Sequence, residues 1–360
     1  MAKLIDLCSK GSSNIAQKDL AACEGQYPIY GAAGFIKNVD FYHQDKPYIA
    51  IVKDGAGVGR VMKLPANSSV IGTMQYIIPN EGVNVSYLAY ALEHMNLAKY
   101  YLGAAIPHIY FKDYCNEELP IHTAEEQNNI ALSLDKFAEL IALRKEQLAN
   151  LDLLVKSRFI ELFGDSTHSR NKVLLEDISV FVTVGIANSA THAYADNGIV
   201  MLRNQNIKEN YLDEKDLIYI TPDFAEKYGS KQLSENDILV IRTGYPGVAC
   251  LVPKKYEGCQ TFTTLIVRLK DSTSAHANYV CHYINSSFGK DYVEQSKVGV
   301  AQQNFGAKAL AKMPIVVPPM ELQEAFATLV EQTDKSKLAI QQSLDQLELL
   351  KKSLMQEYFG

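Results

Sequence analysis

Two stretches of the chain decide the fold. They read QNNIALSLDKFAELIALRKEQLANLDLLVKSRFIELFG at residues 127–164 and QEAFATLVEQTDKSKLAIQQSLDQLELLKKSLMQEYFG at residues 323–360. The two align without a gap at an offset of 196 residues, with 11 identities in 38 positions, and 9 of these fall in the last 17. Both contain the pattern L-x-x-L-x-L-L-x-K-S and both end in Phe-Gly. A gapless copy of this length indicates an internal repeat whose two copies share one structural role.

Apolar residues recur in both stretches at alternating steps of four and three, which predicts two long helices with heptad seams. The seam positions are Ile130, Leu134, Phe137, Ile141, Arg144, Leu148, Leu151, Val155, Arg158 and Leu162, then Phe326, Val330, Thr333, Lys337, Ile340, Leu344, Leu347, Lys351, Leu354 and Tyr358. Thr123 and Glu126 fit a capping box at the start of the first helix, and Gly164 suits a left-handed position at its end. Two unrelated amphipathic surface helices are the alternative.

The regions before the two helices correspond more weakly, and they are rich in strand-forming residues separated by Gly, Asn, Asp and Pro. Strands are predicted at residues 48–52, 75–78, 199–202, 217–220, 238–241 and 262–269. Helical turns with tyrosines are predicted at 87–95 and 279–285, and glycine loops lie at 103–108 and 299–304. We therefore predict a mixed α/β (α+β) fold with a pseudo-two-fold internal repeat. Its β-rich domains are residues 1–118 and 166–312, and its long helices lie within 119–165 and 313–360.

Composition narrows the class of protein. The chain has 360 residues, 47% of them apolar and 21% charged, which is typical of a globular protein of two or three domains. No window offers 18 uninterrupted apolar residues, and the first residues form no apolar signal region. The six cysteines are scattered without a CxxC pair, so we expect reduced thiols and a cytoplasmic protein.

The net charge of -6 is unevenly distributed. Residues 119–165 and 313–360 carry -3 each, so the two β-rich domains together are neutral. An acidic rod is poorly suited to lie along phosphates and better suited to a protein partner, whereas a neutral domain can still present a basic face to DNA.

Sequence motifs for catalysis are missing. The chain contains no GxxxxGK[ST], HExxH or GxSxG motif, and no Asn-Pro-Pro-aromatic motif of the DNA adenine methyltransferases. The glycines of residues 55–59 lack dinucleotide-binding spacing and indicate a tight turn, and His108 is interpreted as an ordinary structural histidine. We therefore expect no catalytic, cofactor-binding or metal-binding residues in this chain.

Side chains suited to DNA stand on turns after the predicted strands, where Arg, Lys, Asn and Gln can reach base edges and Tyr can reach phosphates. The candidates are Lys53, Arg60, Gln75, Lys112, Arg203, Asn204, Gln205, Arg242, Tyr245, Gln302, Gln303 and Asn304. For each one the alternative is a solvated surface or turn residue.

The order of two diverse domains, each followed by a proline, a heptad helix and a Phe-Gly end, resembles the specificity (S) subunit of type I restriction–modification enzymes. Further matches are YPIYGA at residues 27–32, NDIL at 236–239 with RTG at 242–244, and the loop at 299–304. The chain departs from strict repetition in one place: the distance from Leu119 to Gln127 is two residues shorter than that from Met313 to Gln323.

The resemblance implies two target-recognition domains separated by two antiparallel coiled-coil helices, with each domain reading one half of a split site in double-stranded DNA. It also implies that the helices dock two methyltransferase (M) subunits and that restriction (R) subunits join the complex through them. No membrane partner is expected. S-adenosylmethionine, ATP and Mg would be bound by those partner subunits. Within the coiled coil, we expect Leu148, Leu151 and Val155 to pack against Leu344, Leu347 and Leu354.

Two other functions remain open at this point. A non-catalytic coiled-coil scaffold with two β-rich ligand-binding modules would suit the acidic helices, although the basic turns after strands argue against it. A DNA-modifying enzyme is disfavoured because its sequence motifs are missing.

Overall fold

The computed structural model describes residues 1–101, 107–164, 172–187, 190–271, 275–297 and 304–360. The chain divides into two compact units, one formed by Met1–Leu148 with Ala339–Gly360 and the other by Ala149–Leu338. We call them the first unit and the second unit. Each therefore holds one β-rich module, together with parts of both repeated stretches.

The first module consists of short strands and short helices, and a long helix follows it. The strands are β1 (Ala2–Lys3), β2 (Cys8–Ser12), β3 (Tyr27–Gly31), β4 (Gly34–Val39), β5 (Tyr48–Val52), β6 (Val61–Leu64), β7 (Ser69–Val70), β8 (Met74–Pro79) and β9 (Glu118–Leu119). The helices are α1 (Leu4–Leu7), α2 (Val85–His94), α3 (Phe111–Tyr114) and the long α4 (Ala124–Phe163). The strands form sheets with the orders β2-β8-β5-β6, β4-β3-β7 and β1-β9.

The second module repeats this plan with additional strands. The strands are β10 (Lys172–Leu174), β11 (Ser179–Val184), β12 (Tyr194–Ala195), β13 (Ile199–Leu202), β14 (Ile207–Lys208), β15 (Tyr211–Leu212), β16 (Ile218–Ile220), β17 (Ile238–Val240), β18 (Ala249–Leu251), β19 (Gln260–Thr261), β20 (Leu265–Leu269) and β21 (Pro314–Val316). The helices are α5 (Pro222–Lys227), α6 (Ala277–Asn285), α7 (Ser287–Ser296), α8 (Ala307–Ala311) and the long α9 (Met320–Phe359). The main sheets have the orders β11-β20-β17-β18 and β12-β16-β13-β19.

Strand β5 is an unbroken run of apolar residues because both of its faces are covered. Every residue of β5 is buried. Because successive side chains of a strand point to opposite faces, Ile49 and Ile51 join the core that contains α2, whereas Tyr48 and Val52 join a second core on the other face. Strand β17 does the same in the second module. A strand covered on both faces therefore appears in the sequence as an unbroken apolar run.

All six strands predicted from the sequence are present, although those at 217–220 and 238–241 are one residue shorter and that at 262–269 is three residues shorter. The predicted strand at residues 262–269 begins at Leu265, because Thr263 has a φ of 58° and interrupts the extended backbone. Both long helices begin three residues before the repeated stretches. The capping box of α4 is confirmed: the Thr123 N–H donates to Glu126 Oε2 (2.8 Å), and the Glu126 N–H donates to Thr123 Oγ1 (3.3 Å).

The expectation for Gly164 is wrong. Gly164 continues the end of α4 as a tighter turn and has no left-handed φ. The repeated Phe-Gly end is therefore explained by its phenylalanine, which is buried in both copies as Phe163 and Phe359.

The heptad seams are confirmed, since each predicted seam position is buried or half-buried. The relative direction of the two helices follows from contacts within the second unit. Lys337 Nζ lies 2.5 Å from Asp152 Oδ1, and the ring centres of Phe163 and Phe326 are 5.6 Å apart. A later residue of α4 thus meets an earlier residue of α9, so the helices run antiparallel in this unit. In the first unit, Lys145 Nζ lies 2.8 Å from Glu348 Oε1.

The offset of 196 residues continues backward beyond the helices. The Leu4 N–H donates to the carbonyl oxygen of Glu117 (3.0 Å), and the Leu175 N–H donates to that of Met313 (2.9 Å). Leu119 consequently corresponds to Ile315, and both lie in strands that pair with the first strand of their module. Pro120 and Pro314 therefore do not correspond to each other. The segments that lead into the two long helices are equal in length, as the distances from Leu119 to Gln127 and from Ile315 to Gln323 show.

A buried glutamine in the first turn of each long helix ties that helix to its module. Gln127 Oε1 accepts from the Asn84 N–H (3.0 Å), and Gln127 Nε2 donates to the His122 carbonyl (2.9 Å). At the equivalent position, Gln323 Oε1 accepts from the His276 N–H (2.8 Å), and Gln323 Nε2 donates to the Pro318 carbonyl (2.8 Å). Asn84 and His276 are the residues that cap α2 and α6. Each glutamine thus links the first turn of the long helix to the N-terminus of a helix of the module.

Two features bear on the expectations from composition: the cysteines, and the helices long enough to be considered for a membrane span. The six cysteines are free, and four of them are buried. Among the residues that the structure describes, no helix has both the length and the apolar character needed to cross a membrane.

We expect Gln323→Leu to lower the free energy of unfolding by about 1–3 kcal/mol, because it leaves the partly buried His276 N–H and Pro318 carbonyl without their partner. Urea denaturation measures the change. Gln332→Leu is the matched control, since Gln332 is exposed on the same helix and its replacement should change the free energy of unfolding by less than about 0.5 kcal/mol. Equal unfolding midpoints for the two variants would contradict the role assigned to Gln323.

Candidate nucleic-acid interface

In the second unit, the loop that follows β17 is fixed at both ends. The Gly247 N–H donates to the Ile241 carbonyl (2.9 Å), which closes the loop. Thr243 forms an antiparallel bridge with Asn304, and the Phe305 N–H donates to the Arg242 carbonyl (3.0 Å). Gly247 has a φ of 93° and no room for a Cβ beside Val293, so only glycine suits that turn. The loop is therefore held rigidly against the segment that precedes α8.

This frame brings three of the predicted DNA-contacting residues together. Arg242 Nε donates to Asn304 Oδ1 over 3.0 Å. Asn204 Nδ2 donates to the Thr243 carbonyl over 3.2 Å. Tyr245 lies at the tip of the same loop and is 82% exposed. Asn204, Arg242 and Asn304 therefore form one polar cluster, with an exposed tyrosine beside it.

Arg203 and Gln205 lie in the turn that also carries Asn204. Arg203 Nη2 donates to the Asp216 carbonyl over 2.6 Å, so its guanidinium is held against its own module, whereas Gln205 is exposed. Asn206 was missed by the sequence analysis. It is fully buried, accepts from the Arg203 N–H and donates to the carbonyls of Asp213 and Lys215, which fixes the turn. Gln302 and Gln303 lie outside the described residues.

The first unit contains the same backbone frame. Asp54 forms an antiparallel bridge with His108, and the Ile109 N–H donates to the Lys53 carbonyl (3.0 Å). His108 and Asn304 are 196 residues apart, as are Ile109 and Phe305. The loop after β5 and the loop after β17 are therefore equivalent, and each is bonded to the segment before its long helix.

Different side chains occupy the frame in the first unit. The Asp54 carboxylate contacts Nδ1 of His108, and the Lys53 ammonium lies 4.0 Å from the same carboxylate. The rings of His108 and Tyr110 are 4.0 Å apart, and Lys112 Nζ lies 5.2 Å from the Tyr110 ring centre. Lys53 and Lys112 thus border one cluster built around His108. The sequence analysis interpreted His108 as a structural histidine, and its pairing with Asp54 agrees with that; its alignment with Asn304 additionally places it at the centre of this cluster.

Two other candidates of the first unit lie apart from this cluster. Arg60 is exposed, and its Nη1 donates to the Ala32 carbonyl (2.7 Å) beside the turn between β3 and β4. Gln75 is only 2% exposed and donates to the hydroxyl of Tyr114, whose pKa is raised by burial. Gln75 has no surface to offer a base, so the structure corrects that prediction: its role is to pair a buried tyrosine.

The six predicted helix-packing residues are all withdrawn from solvent to some degree. Val155 and Leu344 are buried, and Leu148, Leu151, Leu347 and Leu354 are half-buried. Val155 belongs to the core of the second unit with Phe326 and Val330, whereas Leu354 borders the core of the first unit. Val155 and Leu354 therefore belong to different cores. The pairing of Leu148 with Leu344 stays a prediction.

Both clusters are built from polar and charged side chains. Each presents hydrogen-bond donors and cationic groups on a fixed backbone, which suits contacts with base edges and phosphates. Within the described ranges, no group of three or more His, Cys, Asp or Glu side chains is arranged to hold a metal ion.

Two curated proteins are similar to this chain in sequence. One relative is the specificity subunit of the type I restriction enzyme MjaVIII from Methanocaldococcus jannaschii, which is 22% identical over 328 residues and covers 85% of this chain and 77% of its own length. Another is the EcoEI specificity subunit from Escherichia coli, which is 31% identical over 105 residues, or 28% of this chain and 18% of its own length.

Solved structures share the fold across nearly the whole chain. The S subunit of a type I restriction–modification system from M. genitalium superposes with a TM-score of 0.67 at 14% identity, covering 99% of this chain and 95% of its own. A chain from a study of complex assembly and conformational transition of the type I R-M system gives a TM-score of 0.55 at 14% identity, with 99% and 96% coverage.

Both halves of the repeat match the same family model. The family model for the type I restriction modification DNA specificity domain matches twice, at residues 1–153 and 172–349. Each match contains one module with its strand-end loop and at least part of the long helix that follows. With two matches that together span most of its length, this chain belongs to the type I restriction–modification DNA specificity family.

Proposed function

We propose that the chain is the subunit of a type I restriction–modification complex that reads a bipartite site in double-stranded DNA. The observation that carries this proposal is the repeated frame, in which a strand-end loop is bonded to the segment before a long helix in each unit. Each frame presents its own polar cluster, so each module has one place at which a DNA sequence can be read.

The chemical steps belong to other subunits in this proposal. The chain has no active site of its own, and S-adenosylmethionine, ATP and Mg are bound by methyltransferase and restriction subunits in the cytoplasm. Methyl transfer by the purified chain alone would contradict this assignment.

Selection from randomised DNA duplexes tests the recognition role. We expect the chain, assembled with its methyltransferase subunits, to enrich two short blocks of sequence separated by a gap of constant length. Arg203→Ala combined with Arg242→Ala should relax one block and leave the other unchanged, because both arginines lie in the second unit. A bidentate Arg–guanine contact contributes about 1–3 kcal/mol of discrimination. Enrichment of no block would leave a scaffold without a DNA role as the better explanation.

Two methyltransferase subunits dock on the long helices in this proposal, and a duplicated apolar surface supports it. Leu153 and Leu349 are 61% and 64% exposed, and each is followed by a second exposed leucine, Leu154 or Leu350. The two pairs are 196 residues apart and lie in different units. Exposed leucine pairs at equivalent positions suit two copies of the same partner, because a repeated surface binds a repeated ligand.

We expect Leu153→Asp and Leu349→Asp each to reduce the number of bound methyltransferase subunits from two to one, and the double variant to bind none. A carboxylate placed in an apolar contact has no compensating partner there, whereas on the free surface it costs little. Native mass spectrometry counts the subunits. Leu338→Asp is the matched control, since Leu338 is 62% exposed but has Ala142 as its counterpart in the other repeat. Two bound subunits in the double variant would contradict this docking surface.

The paired helices set the gap between the two half-sites in this proposal. Inserting one heptad after Asn150 and another after Ile340 keeps the apolar seam in register and adds about 10 Å of helix. At about 3.4 Å per base pair, the selected gap should lengthen by about three base pairs while both blocks keep their sequence. An unchanged gap with full binding would mean that the helices do not determine the distance, and a changed block would mean that the modules do not read independently.

A further inference from the structure

We infer that Arg242 reads a guanine in the half-site of the second unit, and that Asn304 is the positioning residue that orients its guanidinium. This inference deepens the proposed DNA recognition and depends on it. It assigns the base and divides the work between two residues.

The hydrogen bond of Arg242 to Asn304 uses Nε and leaves the two terminal NH₂ groups of the guanidinium for a ligand. Nε donates to Asn304 Oδ1 over 3.0 Å, and no further side-chain partner of Arg242 is found among the residues described. Because the guanidinium is planar, fixing Nε sets the plane in which the two terminal NH₂ groups lie. Those groups form the fork that binds O6 and N7 of guanine in the major groove.

The backbone under this pair is fixed as well. The Phe305 N–H donates to the Arg242 carbonyl, and residues 243 and 304 form a bridge. The Cα atoms of Arg242 and Asn304 therefore cannot separate unless these backbone hydrogen bonds break. Phe305 itself is fully buried in the core of the second unit. Arg242 is thus fixed at its backbone and at Nε. Its side chain therefore loses less conformational entropy on binding DNA.

The chemistry of Asn304 suits a positioning residue better than an acid would. An amide oxygen accepts the Nε–H without neutralising the guanidinium, whereas a carboxylate would compete with DNA for the charge. In the first unit the equivalent position is His108, which contacts the Asp54 carboxylate. The position of Arg242 is taken there by Lys53, which has no planar fork, so the orientation by a neutral amide argued for Arg242 applies to the second unit.

Selection from randomised duplexes by the complex with its methyltransferase subunits tests the first part. We expect Arg242→Ala to reduce the preference for guanine at one position of one block by about 5- to 150-fold. Replacing that guanine by 7-deazaguanine, which lacks the N7 acceptor, should weaken binding of the unaltered complex on the order of tenfold and leave the Arg242→Ala complex unaffected. Lys254→Ala, at an exposed lysine of the same unit, should keep every preference.

Two variants of Asn304 test the positioning role. Asn304→Ala removes the acceptor and should lower the guanine preference at the same position by about three- to tenfold. Asn304→Asp keeps an acceptor there, so it should retain the preferred base while its negative charge weakens binding to all duplexes. A residue with only a structural role would not separate base preference from affinity in this way.

The outcomes distinguish this inference from the proposed function. If no two-block site is enriched, the proposed function itself fails. If a two-block site is enriched but Arg242→Ala weakens all duplexes equally, Arg242 is a phosphate contact and the inference alone is overturned. If Asn304→Ala leaves the guanine preference intact, Asn304 does not position the arginine.

Discussion

The packing of the last phenylalanine of each long helix against a tyrosine is the contact on which both units depend. In the second unit the ring of Phe163 lies 4.7 Å from that of Tyr279, and in the first unit the ring of Phe359 lies 5.2 Å from that of Tyr87. The hydroxyl of Tyr279 donates to the Val316 carbonyl, as that of Tyr87 does to the Pro120 carbonyl. Each module therefore completes its core with the end of the helix that follows the other module. This exchange explains why the ends of the two helices are the most similar part of the repeat.

The repeat separates a constant frame from variable side chains. The first turn of each long helix, the strand before it and the strand-end loop keep the same backbone hydrogen bonds in both units. Within that frame, Arg242, Thr243 and Asn304 of the second unit correspond to Lys53, Asp54 and His108 of the first. Because the frame is held by backbone hydrogen bonds, its side chains can differ between the units while the backbone stays the same. The proposed recognition of two different half-sites would rely on this separation.

Local patterns made most of the fold predictable, and long-range contacts account for the rest. The heptad seams and the buried strands follow from hydrophobic periodicity, which each segment carries in its own sequence. Gln75 could not be recognised as buried, because its partner Tyr114 is 39 residues away and no local signal marks it. The equivalence of Leu119 and Ile315 was hidden by prolines at different positions of the frame. Only the pairing of strands across the module reveals it.

Net charge describes this surface poorly, because many cations of the second module are already paired. Arg268 donates to both oxygens of the buried Asp237, and Lys290 lies 2.9 Å from Glu209. Lys231 donates to the Thr183 hydroxyl and the Val184 carbonyl. Arg242 differs from Arg268 in that its side-chain partner is a neutral amide, so its full charge remains for a ligand. A chain with a net charge of -6 can therefore still present an arginine that no carboxylate neutralises, on a loop held by backbone hydrogen bonds.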